Sequence, residues 1–327
     1  INNMMELGGA EIAGIKMHAA IDVIMRRNHI HHCTMGIWCD WEAQGTRLTQ
    51  NLLHDNQRPA FAKQLKGGMM CQDIFVEVGH GPTLIDNNIL LSDASLRFAT
   101  QGVAMVHNLI CGALTCVGDG TGWRYTPYHM PHRTEVRGFM TILHGDDRFY
   151  NNIFVQKWPS EDFIIMHDSD DGFDSENRKV GTWMFDEYPT YDEWISQFDF
   201  TKPADMKKLE PVHFDHLPVW SEGNVYLNGA KAWKHEKNGL VSSENVKVEL
   251  TEKDGKYILD TNIYEILGDF SGRMINTEVL GKAFEPEEFF ENPDGTPITF
   301  DADYFGGHRG AKVIPGPFAA KEDAEKN

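Results

Sequence analysis

The segment GIWCDWEAQGTRLTQN (residues 36–51) aligns without a gap on DIFVEVGHGPTLIDNN (residues 73–88) when their last Asn residues are superimposed. Each segment starts with a short stretch in which apolar residues recur at every second position, and such alternation is typical of a β-strand. Turn residues such as Gly, Asn and Asp then lead into a second apolar stretch. The two segments therefore indicate a repeated unit that is built from short strands.

Asn residues in similar surroundings extend this repeat across the first half of the chain: Asn28, Asn51, Asn88, Asn108 and Asn152. Successive members are 23, 37, 20 and 44 residues apart, and the last interval equals two units of 22. Short strands that return every 20-odd residues favour a parallel β-helix, because helical solenoids need about 33 residues or more per repeat. In such a coil we expect each Asn to adopt a left-handed turn conformation and to stack its amide on the Asn of the next coil.

The interval of 37 residues is 14 longer than the first interval, and the excess lies around RPAFAKQLKGGMMC (residues 58–71). The basic residues and glycines of this segment suit an exposed position. We therefore expect residues 57–70 to form an excursion from the coil, close enough to the site described below to form one wall of a cleft.

The composition becomes more charged from about Pro203 onward, and the repeat is no longer visible there. Residues 246–267 (VKVELTEKDGKYILDTNIYEIL) contain two strand-like stretches around a Lys-Asp-Gly turn, and residues 289–300 (FFENPDGTPITF) predict a second hairpin. The sequence thus predicts an all-β protein. We expect residues 1–205 to form a parallel β-helix and residues 206–327 to form an attached antiparallel β-rich region.

The bulk composition narrows the class of protein. The formal net charge is -19, from 30 Lys and Arg against 49 Asp and Glu. Because this negative charge would repel a phosphate backbone, nucleic acid is not an expected partner. No apolar run approaches the roughly 20 residues of a membrane helix, so a membrane protein is not expected either. The five cysteines are odd in number and predict buried thiols rather than a disulfide framework. The first residues contain no recognisable signal peptide, and the sequence leaves localisation undetermined.

Two carboxylates occupy the same position in adjacent units. Asp40 and Glu77 each lie 11 residues before the Asn that ends their unit. The alternation points Ile37 and Cys39 inward and places both carboxylates on the outer face. Adjacent strands are ~4.8 Å apart, which matches the separation of about 5–5.5 Å in retaining glycosidases better than the about 6.5–9.5 Å of inverting ones. We therefore expect Asp40 and Glu77 to be a catalytic pair.

Further residues near this pair are candidates for substrate binding. Large aromatic rings beside paired carboxylates favour a surface on which a sugar stacks, and GIKMH (residues 14–18) aligns under GIWCD, which puts His18 next to Asp40. The expected substrate-binding residues are Glu11, His18, Trp38, Trp41, His80 and Arg97. In the acidic run HDSDDGFDSE (residues 167–176), a loop that begins at Asp168 has its Gly at the fifth position, whereas an EF-hand loop needs Gly at the sixth. We therefore expect a solvated loop and assign no metal ligands there, and the sequence leaves Ca²⁺ binding by this loop undetermined.

The two long segments, together with YDEW (residues 191–194), resemble glycoside hydrolase family 120, the β-xylosidases with a right-handed β-helix and an attached β-sandwich-like region. The resemblance implies that Asp40 is the nucleophile, that Glu77 is the general acid/base and that Glu11 is a further active-site Glu. The spacing between the motifs is longer here than in the family. The N-terminal half of the family is not part of this chain, so we expect a companion N-terminal segment or chain.

The expected activity is that of a retaining, exo-acting β-xylosidase, which releases xylose from the non-reducing end of xylo-oligosaccharides without a cofactor. A homo-oligomer is also expected. Three alternatives stay open at this point. The first is a β-helix glycosidase of other specificity, such as an arabinofuranosidase or a galactosidase. The second is a β-helix polysaccharide lyase, which would need clustered Asp residues for Ca²⁺ and a Lys or Arg base. The third is a non-catalytic β-helix that binds carbohydrate or has a structural role.

Overall fold

Three long parallel sheets run side by side through most of the chain. The computed structural model describes residues 1, 11–57, 71–116, 125–157, 180–212 and 215–324. Sheet 1 contains β1 (Ile15–His18), β4 (Ile37–Asp40), β7 (Ile74–Glu77), β10 (Ala94–Ala99) and β13 (Ala113–Cys116). Sheet 2 contains β2 (Ile24–Arg26), β5 (Thr46–Thr49), β8 (Thr83–Asp86), β11 (Val103–Val106), β16 (Asp147–Tyr150) and β18 (Val219–Glu222). Sheet 3 contains β3 (His29–His31), β6 (Leu52–His54), β9 (Ile89–Leu90), β12 (Leu109–Ile110), β17 (Ile153–Val155), β19 (Val225–Leu227) and β20 (Leu240–Ser242).

Each strand pairs with the strand one coil away, and consecutive strands of one coil belong to different sheets. This arrangement is a parallel β-helix, and it confirms the predicted fold class. The register follows the alignment of the two long segments, because Ile37 pairs with Ile74 and Thr46 pairs with Thr83. Inward-facing aliphatic side chains from all three sheets fill the interior and are almost fully buried. Burial of this apolar column supplies the main stabilisation of the coil.

A ladder of Asn side chains runs along one corner of the coil. Each amide donates to the side-chain oxygen of the next member at 2.9–3.0 Å, through Asn28, Asn51, Asn88, Asn108, Asn152 and Asn224. The stacking prediction is confirmed, but the backbone part of it is wrong. The left-handed residue is the one before the ladder Asn, as at Gln50 (φ 56°) and His107 (φ 59°). The Asn itself is therefore selected for its side-chain hydrogen bonds rather than for its tolerance of positive φ.

The ladder predicts a position-dependent loss of stability. Asn108 is fully buried, donates to Asn152 and to the carbonyl of Ile85, and accepts from the backbone and side chain of Asn88. Asn108→Ala should lower the free energy of unfolding by about 3 kcal/mol or more, because several buried polar groups lose their partner. Asn28→Ala, at the half-buried end of the ladder, should cost about 1 kcal/mol. Urea unfolding of both variants measures this, and equal losses would contradict a cooperative ladder.

The repeat continues beyond residue 205, where the sequence led us to expect its end. Val219–Glu222 pairs in parallel with β16, and Val225–Leu227 pairs in parallel with β17. Asn224 between them adds the sixth member to the ladder. The parallel coil therefore does not end at residue 205, and the predicted boundary is wrong. The last unit is not recognisable in the sequence, because 72 residues separate Asn152 from Asn224.

Two antiparallel hairpins accompany the coil: β14 (Tyr125–His129) with β15 (Val136–Thr141), and β21 (Val248–Lys253) with β22 (Lys256–Thr261). The second confirms the prediction of strands around the Lys-Asp-Gly turn. In residues 289–300, the predicted hairpin is wrong, because Phe289 bridges to Lys282 and Thr299 bridges to Asn276 instead of to each other.

Short helices complete the described chain. The α-helices are α1 (Tyr191–Ile195), α2 (Met206–Leu209), α3 (Ile263–Leu267), α4 (Thr277–Leu280) and α5 (Lys321–Ala324), and the 3₁₀-helices are Trp183–Phe185 and Glu210–Val212. In the described ranges, no helix has the length and apolar character needed to cross a membrane. None of the five cysteines forms a disulfide, and four of them are buried, as predicted. The expected excursion at residues 57–70, apart from Gln57, and the acidic run at 167–176 lie outside the described residues.

Candidate active site

The outer face of sheet 1 carries two rows of side chains that run across the strands. One row is formed by residues that pair from strand to strand, namely Lys16, Trp38, Phe75, Arg97 and Thr115. The second row lies two residues further along each strand and contains His18, Asp40, Glu77 and Ala99. These rows bring together residues that are up to about a hundred positions apart in sequence.

Asp40 and Glu77 are neighbours in the second row. Cys39 pairs with Val76 in a parallel ladder, so the following residues, Asp40 and Glu77, stand side by side on adjacent strands. Each is the last residue of its strand, and the residue after each has a positive φ, 22° at Trp41 and 51° at Val78. The corner of the coil thus begins directly after both carboxylates, which fixes their position along the sheet.

Asp40 is buried and ion-paired. Its residue is only 3% exposed, its Oδ2 accepts a hydrogen bond from the Nζ of Lys16, and its Oδ1 has no hydrogen-bond partner. Lys16 also pairs with Glu11, and its Nζ lies 4.5 Å from the centroid of the Trp38 ring. Burial lowers the pKa of Lys16, but the hydrogen bonds with Asp40 and Glu11 outweigh it and raise the pKa above the ordinary value. Lys16 is therefore a cation that holds one oxygen of Asp40, while the other oxygen is buried without a hydrogen-bond partner.

Glu77 has a different environment. It is partly exposed, and its Oε2 accepts a hydrogen bond of 3.1 Å from Nε1 of Trp38. The Trp38 side chain therefore contacts the carboxylate of Glu77 through its indole N–H, and through its ring face it contacts Lys16, the ion-pair partner of Asp40. Two acidic groups with unequal surroundings can divide the roles of nucleophile and proton donor.

The aromatic residues do not form the exposed sugar-stacking surface that the sequence predicts. Trp38 is 4% exposed and Phe75 is 2% exposed, and they pack against each other with ring centroids 5.4 Å apart. Their role in the structure is to support the carboxylates from below. Trp41 is partly exposed, and its carbonyl accepts from the backbone N–H of Ala19 at 2.7 Å. Among Trp38, Trp41 and Phe75, Trp41 is the most exposed residue.

His18 and Glu11 lie at the open side of the site. His18 pairs with Asp40 in the strand register, as the alignment predicts, and its side chain is exposed. Glu11 is exposed as well and reaches Asp40 only through Lys16. Both residues are therefore placed where a ligand could contact them, and their binding roles stay predictions.

His80 and Arg97 are buried residues. His80 contacts the Oγ1 of Thr126 at 3.2 Å and the edge of the Tyr128 ring, and burial lowers the pKa of its imidazole to about 4. The Arg97 guanidinium lies 5.6 Å from the Phe75 ring, and the residue is 3% exposed. These two residues support the hairpin β14–β15 and the first row rather than facing solvent. A buried Arg97 is also a poor candidate for the base of a polysaccharide lyase.

The sequence reasoning missed Lys16. The alignment of GIKMH under GIWCD contains the signal, because it places Lys16 next to Trp38 as directly as it places His18 next to Asp40. A lysine two residues before an outward His reads as a solvated strand residue when considered alone. Its importance follows from the side chain bending toward Asp40.

Replacing Lys16 should destabilise the protein through Asp40. Lys16→Met keeps the aliphatic stem but leaves a buried carboxylate without its charged donor, so the free energy of unfolding should fall by about 1–3 kcal/mol. Combining it with Asp40→Asn should recover most of this loss, because a neutral amide needs no cation. Lys247→Met, in the exposed pair with Asp260, is the matched control and should have little effect. Additive losses in the double variant would show that Lys16 does not act through Asp40.

Comparison with solved structures finds the structure of XylC in a complex with xylose. The superposition has a TM-score of 0.78 and 35% sequence identity, and it covers 95% of this chain. The chain spans 43% of the length of the XylC chain. No family model matches the sequence, and no curated protein matches it. The likeness to XylC confirms the resemblance that the motifs carry.

Proposed function

Because this chain is a family 120 β-xylosidase-like protein, we propose that it supplies the catalytic carboxylates of a retaining glycosidase that releases xylose from the non-reducing end of xylo-oligosaccharides. The observation that carries the proposal is the side-by-side placement of Asp40 and Glu77 at the ends of two adjacent parallel strands. Neighbouring strands are ~4.8 Å apart, and this spacing suits direct attack by a carboxylate better than attack by an interposed water.

In the proposed first step, Asp40 attacks the anomeric carbon of the terminal xylose while Glu77 donates a proton to the departing glycosidic oxygen. This step forms a covalent bond between the sugar and the Asp40 oxygen and breaks the glycosidic bond. In the second step, Glu77 takes a proton from water, the water oxygen attacks the same carbon, and Asp40 leaves as a carboxylate. The two inversions together retain the configuration.

The surroundings of the two residues suit these unequal roles. Asp40 must stay ionised to attack, and the Lys16 ammonium on its Oδ2 favours the charged form while its Oδ1 has no protein partner. Glu77 must exchange a proton with the leaving group and with water, and it is the more exposed of the pair. The Trp38 N–H orients the carboxyl of Glu77. The assignment of the nucleophile to Asp40 rests on this asymmetry and on the resemblance to the family.

We also propose that the active particle contains a further N-terminal segment or companion chain, and that the particle is a homo-oligomer. The first coil supports the former proposal. Among the strands that the structure describes, β1 and β2 each have a neighbour on one side only, and their side chains are more exposed than those of the next coil, with Ile24 at 50%. An open edge of this kind is ready to pair with additional strands. Native mass measurement of the purified active particle tests both points. An active monomer with the mass of this chain alone would contradict them.

The substrate class is tested with nitrophenyl glycosides and the native particle. We expect the β-D-xyloside to be the best substrate, with weaker turnover of the α-L-arabinofuranoside and the β-D-galactoside. A clear preference for the arabinofuranoside or the galactoside would mean that the enzyme has a different sugar specificity but the same mechanism. Loss of all activity together with intact binding of xylo-oligosaccharides would favour a carbohydrate-binding protein instead.

A further inference from the structure

Three acidic and imidazole side chains from distant parts of the chain converge at the first corner of the coil. Asp22 lies between β1 and β2, His132 lies between β14 and β15, and Glu288 belongs to the C-terminal region. One ligand atom from each lies within 4.8 Å of the other two, and Nδ1 of His132 is 2.9 Å from Oδ1 of Asp22. These residues are separate from Asp40 and Glu77 and have no role in the proposed reaction.

Glu288 is the buried member of the three, and one of its carboxylate oxygens is unsatisfied. The residue is 1% exposed, and its Oε2 accepts a hydrogen bond of 2.6 Å from the side chain of Gln44. Its Oε1 is buried and has no hydrogen-bond partner. An isolated carboxylate oxygen in a protein interior is costly unless a donor or a cation satisfies it.

The position of Gly45 shows that Oε1 of Glu288 points toward the same space as Asp22. A Cβ atom added to Gly45 would lie 2.3 Å from Oδ1 of Asp22 and 2.8 Å from Oε1 of Glu288. The two oxygens therefore converge over a glycine whose missing side chain leaves room for them. Gly45 also has a φ of 66°, which glycine adopts without strain.

His132 is oriented as a metal ligand would be. Its Nε2 lies 3.3 Å from Oε1 of Glu291, while its Nδ1 faces Asp22. Imidazole ligands of metals commonly donate their second ring N–H to a carboxylate, which fixes the tautomer and the ring orientation. Glu291 fits this supporting role.

We propose that Asp22, His132 and Glu288 bind a divalent cation of the Zn²⁺ type. An imidazole with two carboxylates suits Zn²⁺ better than Ca²⁺, which takes oxygen ligands only. Metal–ligand distances of about 2.0–2.2 Å require ligand atoms roughly 3–4 Å apart, so a small inward movement completes the site. Three protein ligands leave one position for water.

The proposed ion would stabilise the corner of the first coil, which lies next to the corner that follows β4. It would link the first coil, the loop of hairpin β14–β15 and the C-terminal region, which otherwise contact one another through side chains such as Gln44. Gln44 donates to Glu288 and to the carbonyl of His129, and it lies four residues after Asp40. The role is therefore structural, and its readouts are metal content and thermal stability.

The test uses the native particle after removal of metal with a chelator. Zn²⁺ uptake is measured by titration and by elemental analysis, and the melting temperature is measured with and without the ion. We expect one Zn²⁺ per chain, a higher melting temperature with Zn²⁺, and no replacement of Zn²⁺ by millimolar Ca²⁺. Asp22→Asn and Glu288→Gln should abolish uptake. If either variant does not fold, Glu291→Gln should fold and bind Zn²⁺ about 10- to 100-fold more weakly.

A second group of histidines provides the control. His29, His31, His32 and His54 lie close together on sheet 3, with Nε2 of His29 2.7 Å from Nε2 of His54. His54→Gln should leave the uptake of the proposed site unchanged. The proposal is overturned if the wild type takes up no Zn²⁺ at micromolar concentration, as would hold if His132 only bridges Asp22 and Glu291 as a protonated side chain. It is also overturned if His54→Gln removes the ion while Glu288→Gln keeps it, or if only Ca²⁺ binds.

Discussion

Asp40→Asn should abolish turnover of every xyloside, with a loss in kcat on the order of 10⁴-fold or more. The amide has nearly the shape of the carboxylate but cannot form the covalent intermediate, so leaving-group quality should not rescue it. Steady-state rates on nitrophenyl xyloside and on xylobiose, measured with the native particle, provide the comparison. A residual activity within tenfold of the wild type on either substrate would show that Asp40 is not the nucleophile.

The control for this loss is folding. Asp40→Asn keeps a hydrogen-bond acceptor toward Lys16, and Lys16 keeps its second partner Glu11. The variant should therefore unfold at nearly the same urea concentration as the wild type and keep its affinity for xylose. If the Asp40→Asn variant is both inactive and unfolded, its inactivity says nothing about the role of Asp40. The double variant, Lys16→Met with Asp40→Asn, then separates the effect on stability from the effect on the reaction.

Glu77→Gln should produce a loss that depends on the leaving group. Glycosylation of an activated nitrophenyl xyloside needs little acid assistance, whereas xylobiose needs a proton on the departing oxygen and should lose about 10²- to 10⁴-fold. Deglycosylation slows for every substrate because water also loses its base. With the activated substrate, the variant should show a burst of nitrophenol followed by slow turnover.

Azide provides the direct control for the role of Glu77. As an anion it attacks the intermediate without a general base, so it should accelerate the slow phase of the Glu77→Gln variant and give β-xylosyl azide. The Asp40→Asn variant should give no β-xylosyl azide. Formation of the α-azide by the Glu77 variant, or of the β-azide by the Asp40 variant, would mean that the roles are reversed or that the enzyme inverts.

The coil was predictable because its information is local and periodic. Asn51 and Asn88 sit in equivalent motifs, and a fixed offset of 11 residues from each leads to Asp40 and Glu77. Because the strands of successive coils pair in parallel, residues with the same offset lie side by side on adjacent strands. Asn224 was missed because the interval before it is too long for its period to be recognised.

The surroundings of the pair were less predictable, because outward in the coil does not mean exposed in the protein. Trp38 and Phe75 face away from the interior of the coil as predicted, yet they are buried in a cluster with Met35 and Ala99. His80 is similarly covered by the hairpin that contains Thr126. Contacts of this kind join segments with no shared periodicity. Asp22 likewise lies beside His132 and Glu288, which are 110 and more positions away in sequence. No sequence pattern indicates this contact.

The most direct measurement of the central claim is to trap the glycosyl-enzyme with a 2-deoxy-2-fluoro-β-xylosyl fluoride and to identify the labelled peptide. The fluorine at C2 slows both steps, and the good leaving group lets the first step proceed, so the intermediate should accumulate on the native particle. We predict a single fluoroxylosyl group on the peptide that contains Asp40, and its absence in the Asp40→Asn variant. A label on Glu77 or on a residue of another chain, or no label in an enzyme that still turns over xylosides, would contradict the account.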